Sequence, residues 1–306
     1  TSGFGELVAL DAASGRVLWR QRVDAPIGGG PAVQNGVVYV LGRNDIGWAV
    51  RAADGKVLWQ TSGTPSTAGV MGVSVPAIQG NTVIFPFASG QLLAADRETG
   101  ATLWTAQIGG MRIGRAIANI RDVTGDPVIA GNTVYGGTSS GRINAVELDS
   151  GIEAWSARDG ANSPVVVAGG SVFAVNDQAE LIRLDAATGG SIWRVQLPYY
   201  TTQRVRRQDR IHAHFGPVLA GGRLFVVSSD GVMRASSLLW AAAARKASAR
   251  VRATSKRVSS GKVRIEPICC LVTPPMRQIS GISHFGSAFL LRPTSRRNQT
   301  TSSAPR

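Results

Sequence analysis

The residues best able to do chemistry are few. His212 and His214, in the stretch RIHAHF, would point to one side of a strand and offer two imidazoles to a metal. Two ligands do not close a coordination shell and no third accompanies them, so they read as structural or surface histidines. Cys269 and Cys270 are adjacent and could pair as a vicinal disulfide, but they lie in a segment of anomalous composition and read as two incidental thiols. The run Arg204, Arg206, Arg207 and Arg210 reads as a solvated loop rather than a site for an acidic partner. There is no GxSxG elbow, phosphate-cradling glycine loop or HExxH motif, and Ser, His and Asp show no spacing that singles out a triad. No catalytic residue, metal site or cofactor site is assigned.

What the sequence does contain is a repeat. Five segments share one pattern: LDAASGRVLW, VRAADGKVLW, ADRETGATLW, VELDSGIEAW and LDAATGGSIW, ending at Trp19, Trp59, Trp104, Trp155 and Trp193. Four residues before each Trp stands a glycine: Gly15, Gly55, Gly100, Gly151 and Gly189. Before each glycine comes Ser14, Asp54, Thr99, Ser150 or Thr188. A glycine at positive φ, preceded by a side chain that bonds the local backbone, is the chemistry of a tight hairpin turn. A second set of hairpins begins at Pro31, Pro76, Pro127, Pro164 and Pro217.

From each Pro to the next Trp the distance is 28, 28, 28 and 29 residues, whereas Trp to Pro varies through 12, 17, 23, 9 and 24. A constant block of two hairpins with a variable link predicts the four-stranded antiparallel blade of a β-propeller. One such sheet leaves an apolar face uncovered, and stacking against neighbouring blades buries it. Each Trp then supplies roughly 4 to 6 kcal/mol of burial before entropy is subtracted. The five Trp are therefore read as packing residues rather than a ligand platform.

The pattern fails at both ends. Residue 1 falls in the middle of a blade. After Gly231, Val232, Met233 and Ala235 the expected Asp, Thr-Gly and Trp do not appear, Arg245 stands where the Trp belongs, and Trp240 is out of register. The expected architecture is all-β: a propeller of about five and a half blades, of a probable eight, over residues 1–235, then a basic, low-order, non-propeller tail over residues 236–306. Two origins fit that tail, a shifted reading frame and a natural basic extension. The net charge of +14 belongs mostly to it, since residues 1–235 hold 20 Lys and Arg against 18 Asp and Glu, and residues 236–306 hold 13 against one. Nucleic-acid binding inferred from charge is accordingly discounted. No run of apolar residues is long enough to cross a bilayer as a helix.

The variable links all emerge on one end of such a propeller, which makes that face the candidate binding surface. Residues 60–75, 105–126 and 194–216 build most of it, with Val70, Met71 and Ile113 beside Arg115 and Asp122. Mixed apolar and charged character suits a protein partner.

The segments LDAASGRVLW and LDAATGGSIW resemble the repeats of pyrroloquinoline-quinone-type propellers, which include quinoprotein dehydrogenases and the BamB lipoproteins of the outer-membrane barrel-assembly machine. NIRDVTGDPVIAGNTVYGGTSSGRINAVELDSGIEAW and VFAVNDQAELIRLDAATGGSIW look like consecutive BamB blades. That resemblance implies a non-enzymatic, eight-bladed scaffold without a cofactor, a monomer within a complex, lipid-anchored at the periplasmic face of the outer membrane. It implies binding to the periplasmic part of the barrel-inserting subunit. It also places contacts on the loop before Pro76, with Val70 and Met71, and on Asp122, Val123 and Thr124, where Thr124 replaces a family Asp. The lipidated Cys is absent from this chain. The alternative within the superfamily is an alcohol or sugar dehydrogenase using the quinone cofactor and Ca²⁺.

Overall fold

A computed structural model describes residues 1–66, 74–110, 122–202 and 204–238, together with the backbone of a short strand at Arg264–Pro267. Among the described residues the regular elements are strands, apart from one 3-10 turn at Val205–Arg207. Blade 1 is a pair, β1 (Glu6–Leu10) and β2 (Val17–Arg22). Blades 2 to 5 are four-stranded antiparallel meanders: β3 to β6 between Ala32 and Ser62, β7 to β10 between Ala77 and Gln107, β11 to β14 between Val123 and Ala157, and β15 to β18 between Val166 and Gln196. Blade 6 holds β19 (His214–Ala220), β20 (Arg223–Ser228) and β21 (Val232–Ser237). Its fourth strand, β22 (Arg264–Pro267), pairs with β21 in parallel, whereas every other blade ends on an antiparallel, Trp-bearing strand. The third strand of blade 6 thus runs two residues past the expected boundary at 235, and its parallel partner breaks the pattern of the repeat.

The two middle strands of each complete blade are buried almost throughout, and alternation sends successive side chains to opposite neighbours. In β8 (Thr82–Pro86), Val83 and Phe85 pack with Tyr39 and Leu41 of blade 2, while Ile84 packs with Val134 and Val146 of blade 4. Among the described residues five such inter-blade cores recur, one between each consecutive pair of blades.

The Trp is the clamp between neighbours. Its indole N–H donates to a backbone carbonyl in the turn of the next blade: Trp19 to Ala52 (2.8 Å), Trp59 to Arg97 (3.1 Å), Trp104 to Leu148 (2.6 Å) and Trp155 to Ala186 (2.9 Å). The ring lies flat on that turn's glycine. A Cβ on Gly151 would meet the Trp104 ring at 2.5 Å, and Gly55, Gly100 and Gly189 stand in the same relation to Trp19, Trp59 and Trp155. These glycines are therefore required twice, for a φ near +75° and for close approach of an indole. Gly15, in the first turn, has the same φ and nothing within 4 Å.

The residue preceding each Trp is skipped in the strand register, a bulge repeated in all five blades that carry the Trp, which leaves Leu18, Leu58, Leu103 and Ile192 exposed. The residue before each turn glycine does what its type suggests: Ser14, Asp54, Thr99, Ser150 and Thr188 each accept a backbone N–H two residues on, at 3.1 to 3.3 Å. A carboxylate three residues earlier, Asp11, Asp96 or Asp185, takes further turn N–H and hydroxyl donors, and those hydrogen bonds hold its pKa below the ordinary Asp value.

Candidate partner-binding face

In a meander the turn between the second and third strands lies at the same end as the exit of the fourth. Each connector accordingly leaves its blade beside that turn. Gly63 N–H donates to Asp45 O, Ile108 N–H to Gly90 O, Ala161 N–H to Thr138 O and Leu197 N–H to Ala179 O. The connectors therefore gather with these turns on one face, as the constant block length requires.

Particular side chains seat them. Asp45, buried at a left-handed φ of 57°, accepts Ser66 N–H (2.9 Å) and Ala88 N–H (3.3 Å) on its two carboxylate oxygens, while Gln91 of the next blade accepts Thr64 N–H (3.0 Å). The far end of the same connector is held by blade 4, where Ser74 Oγ donates to Val123 O and Val75 N–H donates to Asp126 Oδ1 (2.8 Å). Burial raises the Asp126 pKa, partly offset by that hydrogen bond.

The connector of residues 158–163 is fixed by ion pairing. Arg194 forks onto buried Asp159 with two bonds of 2.6 and 2.9 Å, and Asn176 bridges Asp159 and Glu180. Thr124 Oγ1 reaches across to Ala161 O (3.2 Å) and Asn162 Oδ1 (3.1 Å), joining this connector to blade 4. At the exit of blade 5, His214 Nε2 lies 2.9 Å from Pro198 O and Nδ1 lies 2.6 Å from Ser228 Oγ. A carbonyl only accepts, so Nε2 carries the proton and Ser228 donates to Nδ1. Burial lowers the His214 pKa and favours this neutral form. His214 is a structural bolt between connector and blade, and among the described residues no three metal-binding side chains converge.

Comparison with known proteins adds to this geometry. A family model described as outer membrane protein assembly factor BamB matches residues 1–195 and 139–265. The chain belongs to the BamB family. The BamB of Yersinia pestis is 25% identical over 226 residues, covering 74% of this chain and 54% of the relative. The chain thus spans about half the length of that relative. The crystal structure of BamB from Moraxella catarrhalis superposes with a TM-score of 0.67 at 21% identity, over 76% of this chain and 67% of that one. A europium-containing methanol dehydrogenase shares the fold more distantly, with a TM-score of 0.54 at 15% identity over 67% of this chain and 50% of the other. Both structural likenesses speak to the fold, and the all-β propeller expected from the repeat is the fold of the BamB structure.

Of the residues read as partner contacts, Val70, Met71 and Arg115 lie outside the described residues, as do Ile113 and the cysteines. Asp122 is 4% exposed and its carbonyl accepts Ser139 N–H (3.3 Å), so it sits inside the base of the connector rather than on an open surface. Thr124 is half-buried, with its hydroxyl turned to the next connector. The loop before Pro76 and the segment 122–126 are nevertheless brought together, through Ser74 to Val123 and Val75 to Asp126.

Sequence reasoning missed Asp45, Asp126, Asp159 and Arg194, because each occurs once and no repeat marks it. It also passed over the aromatic residue of each second strand. Tyr39, Tyr135 and Phe173 pack against their own blade's Trp at 5.8 to 6.1 Å, and a Tyr or Phe eight or nine residues after each opening Pro was a visible signal.

Proposed function

We propose that this chain is a non-enzymatic scaffold of the outer-membrane β-barrel assembly machinery. In this reading its connector face docks the periplasmic part of the barrel-inserting subunit, and it works as a monomer within that complex at the periplasmic side of the outer membrane. Family membership supports the assembly role. The observation that supports the docking reading is the seating of two connectors against each other: residues 74–75 are held by Val123 and Asp126, which ties the end of the loop before Pro76 to the segment from Asp122 to Asp126. A rigid base supporting short loops binds with little ordering cost, which suits a scaffold. The contact residues proposed on this face are Val70, Met71, Arg115, Asp122 and Thr124, with Asp122 acting from beneath to hold the loop in place.

The test is direct binding of the purified chain to the purified periplasmic region of the barrel-inserting subunit. Replacing Val70 and Met71 together with Asp is expected to weaken that binding about thirtyfold, the scale of a central contact. Asp45→Ala, which frees the same loop at its base, is expected to weaken it less. Absence of binding, or reduction of a dye when the quinone cofactor, Ca²⁺ and an alcohol are added, overturns the proposal in favour of the dehydrogenase reading.

A further inference from the structure

The connector between blades 5 and 6 is built as a hairpin of its own. Tyr200 pairs with Ile211, Thr201 N–H donates to Arg210 O (3.1 Å), and His212 N–H donates to Tyr199 O (2.8 Å). The tip is the 3-10 turn Val205–Arg207, closed by Gln208 N–H on Val205 O (3.3 Å). His214 and Ala213 bolt its base to blade 6. It is thus a built projection.

Its charge is distinctive. Residues 199–212 carry four arginines and one aspartate, while the remainder of residues 1–235 carries sixteen basic residues against seventeen acidic ones. The basic character of the propeller is concentrated in this hairpin. Arg204, Arg206 and Arg210 are exposed and, among the described residues, pair with no carboxylate. At the base of the hairpin is an open recess of about 500 Å³ walled by Gln178, Gln196, Tyr199 and Tyr200, with the two tyrosine rings edge to face at 4.9 Å.

We propose that this hairpin binds an acidic, extended segment of a partner protein, its carboxylates taken by Arg204, Arg206 and Arg210 and one aromatic or aliphatic side chain by the tyrosine recess. Guanidinium forks suit carboxylates geometrically, and a tyrosine-walled hollow takes a side chain at little entropic cost. An anionic lipid surface would be read differently, by basic residues around large apolar groups at the tip. Here the tip holds one valine, and the aromatic pair sits at the base. The inference refines the connector-face reading by naming a partner chemistry for a separate part of that face.

The experiment titrates the full 306-residue chain into a fluorescein-labelled peptide of about ten residues, rich in Glu with one central Phe, and follows anisotropy. Binding is expected to weaken about tenfold in the Arg204→Glu, Arg206→Glu, Arg210→Glu triple variant, to fall as salt rises, and to weaken several-fold in Tyr200→Ala. Because the tail from residue 236 is itself strongly basic, hydrogen exchange is read alongside, and protection on peptide binding is expected within residues 199–212. Equal binding by the wild type and the triple variant, or protection confined to the tail, overturns the proposal. So does binding to phosphatidylglycerol vesicles without binding to the peptide. A chain that binds the barrel-inserting subunit but not this peptide loses only this inference, and the opposite result loses only the assembly reading.

Discussion

Gly131 and Gly151 offer a controlled test of the clamp between blades. Both lie in turns of blade 4 at nearly the same φ, 61° and 71°, so an alanine at either meets the same backbone penalty, about 1 to 2 kcal/mol. Their surroundings differ. A Cβ at position 131 has nothing within 4 Å, whereas one at 151 would stand 2.5 Å from the Trp104 ring, well inside contact distance. The indole cannot simply slide, because its N–H is held by Leu148 O at 2.6 Å and it is 92% buried between blades 3 and 4. Displacing it adds about 1 to 3 kcal/mol of overpacking and about 1 kcal/mol for the weakened hydrogen bond. Gly151→Ala should therefore cost roughly 2 to 4 kcal/mol more than Gly131→Ala. Urea titrations of both variants, followed by tryptophan fluorescence, report the difference as separated midpoints. Coincident midpoints would refute the claim that the ring against the glycine holds neighbouring blades in place.

Two aspartates should respond to acid with opposite signs. Hydrogen bonds depress the Asp96 pKa, so its contribution is present above the unfolded value and lost as pH falls through the folded one. Asp96→Asn should melt below the wild type at pH 7, with the difference shrinking only as pH falls below about 3.8 and through the depressed folded pKa. Burial raises the Asp126 pKa, so its ionised form penalises the fold at neutral pH. Asp126→Asn, which keeps an acceptor for Val75 N–H, should melt above the wild type at pH 7, with the gain shrinking as pH falls through the raised folded pKa towards the unfolded value. Arg194→Met strands the buried Asp159 carboxylate. Since Arg194 is itself 39% exposed, the expected loss is about 2 kcal/mol by urea unfolding, with partial recovery in the Arg194→Met, Asp159→Asn double variant. Trp104→Phe keeps most of the ring but orphans Leu148 O and should cost about 2 kcal/mol, more than Trp19→Phe, whose indole is only partly buried.

The repeat was legible because it is written in residue types with strong local demands. A glycine at positive φ, a side chain that bonds the turn and a Trp four residues on recur five times, and each occurrence supports the others. The connectors were legible only as variable lengths. Asp45, Asp159 and Arg194 appear once each, so no periodicity distinguishes them from solvated charges, and their burial depends on which turn lies above which loop. Asp122 shows the same limit. Its position five residues before the blade-opening Pro127 marks it as a connector residue, but its 4% exposure is set by neighbours distant in sequence.

By itself, then, the amino-acid sequence determined the blade, its count of strands, and the end of the propeller on which the links gather, since hairpin chemistry and block length are local and additive. Only the tertiary structure decided that each indole bonds a carbonyl of the following blade and rests on its turn glycine, and that residues 74–75 are tied to blade 4. The reason is geometric. Those contacts join residues 31 to 51 positions apart, and they exist only once neighbouring sheets have stacked and each blade's apolar face has left water.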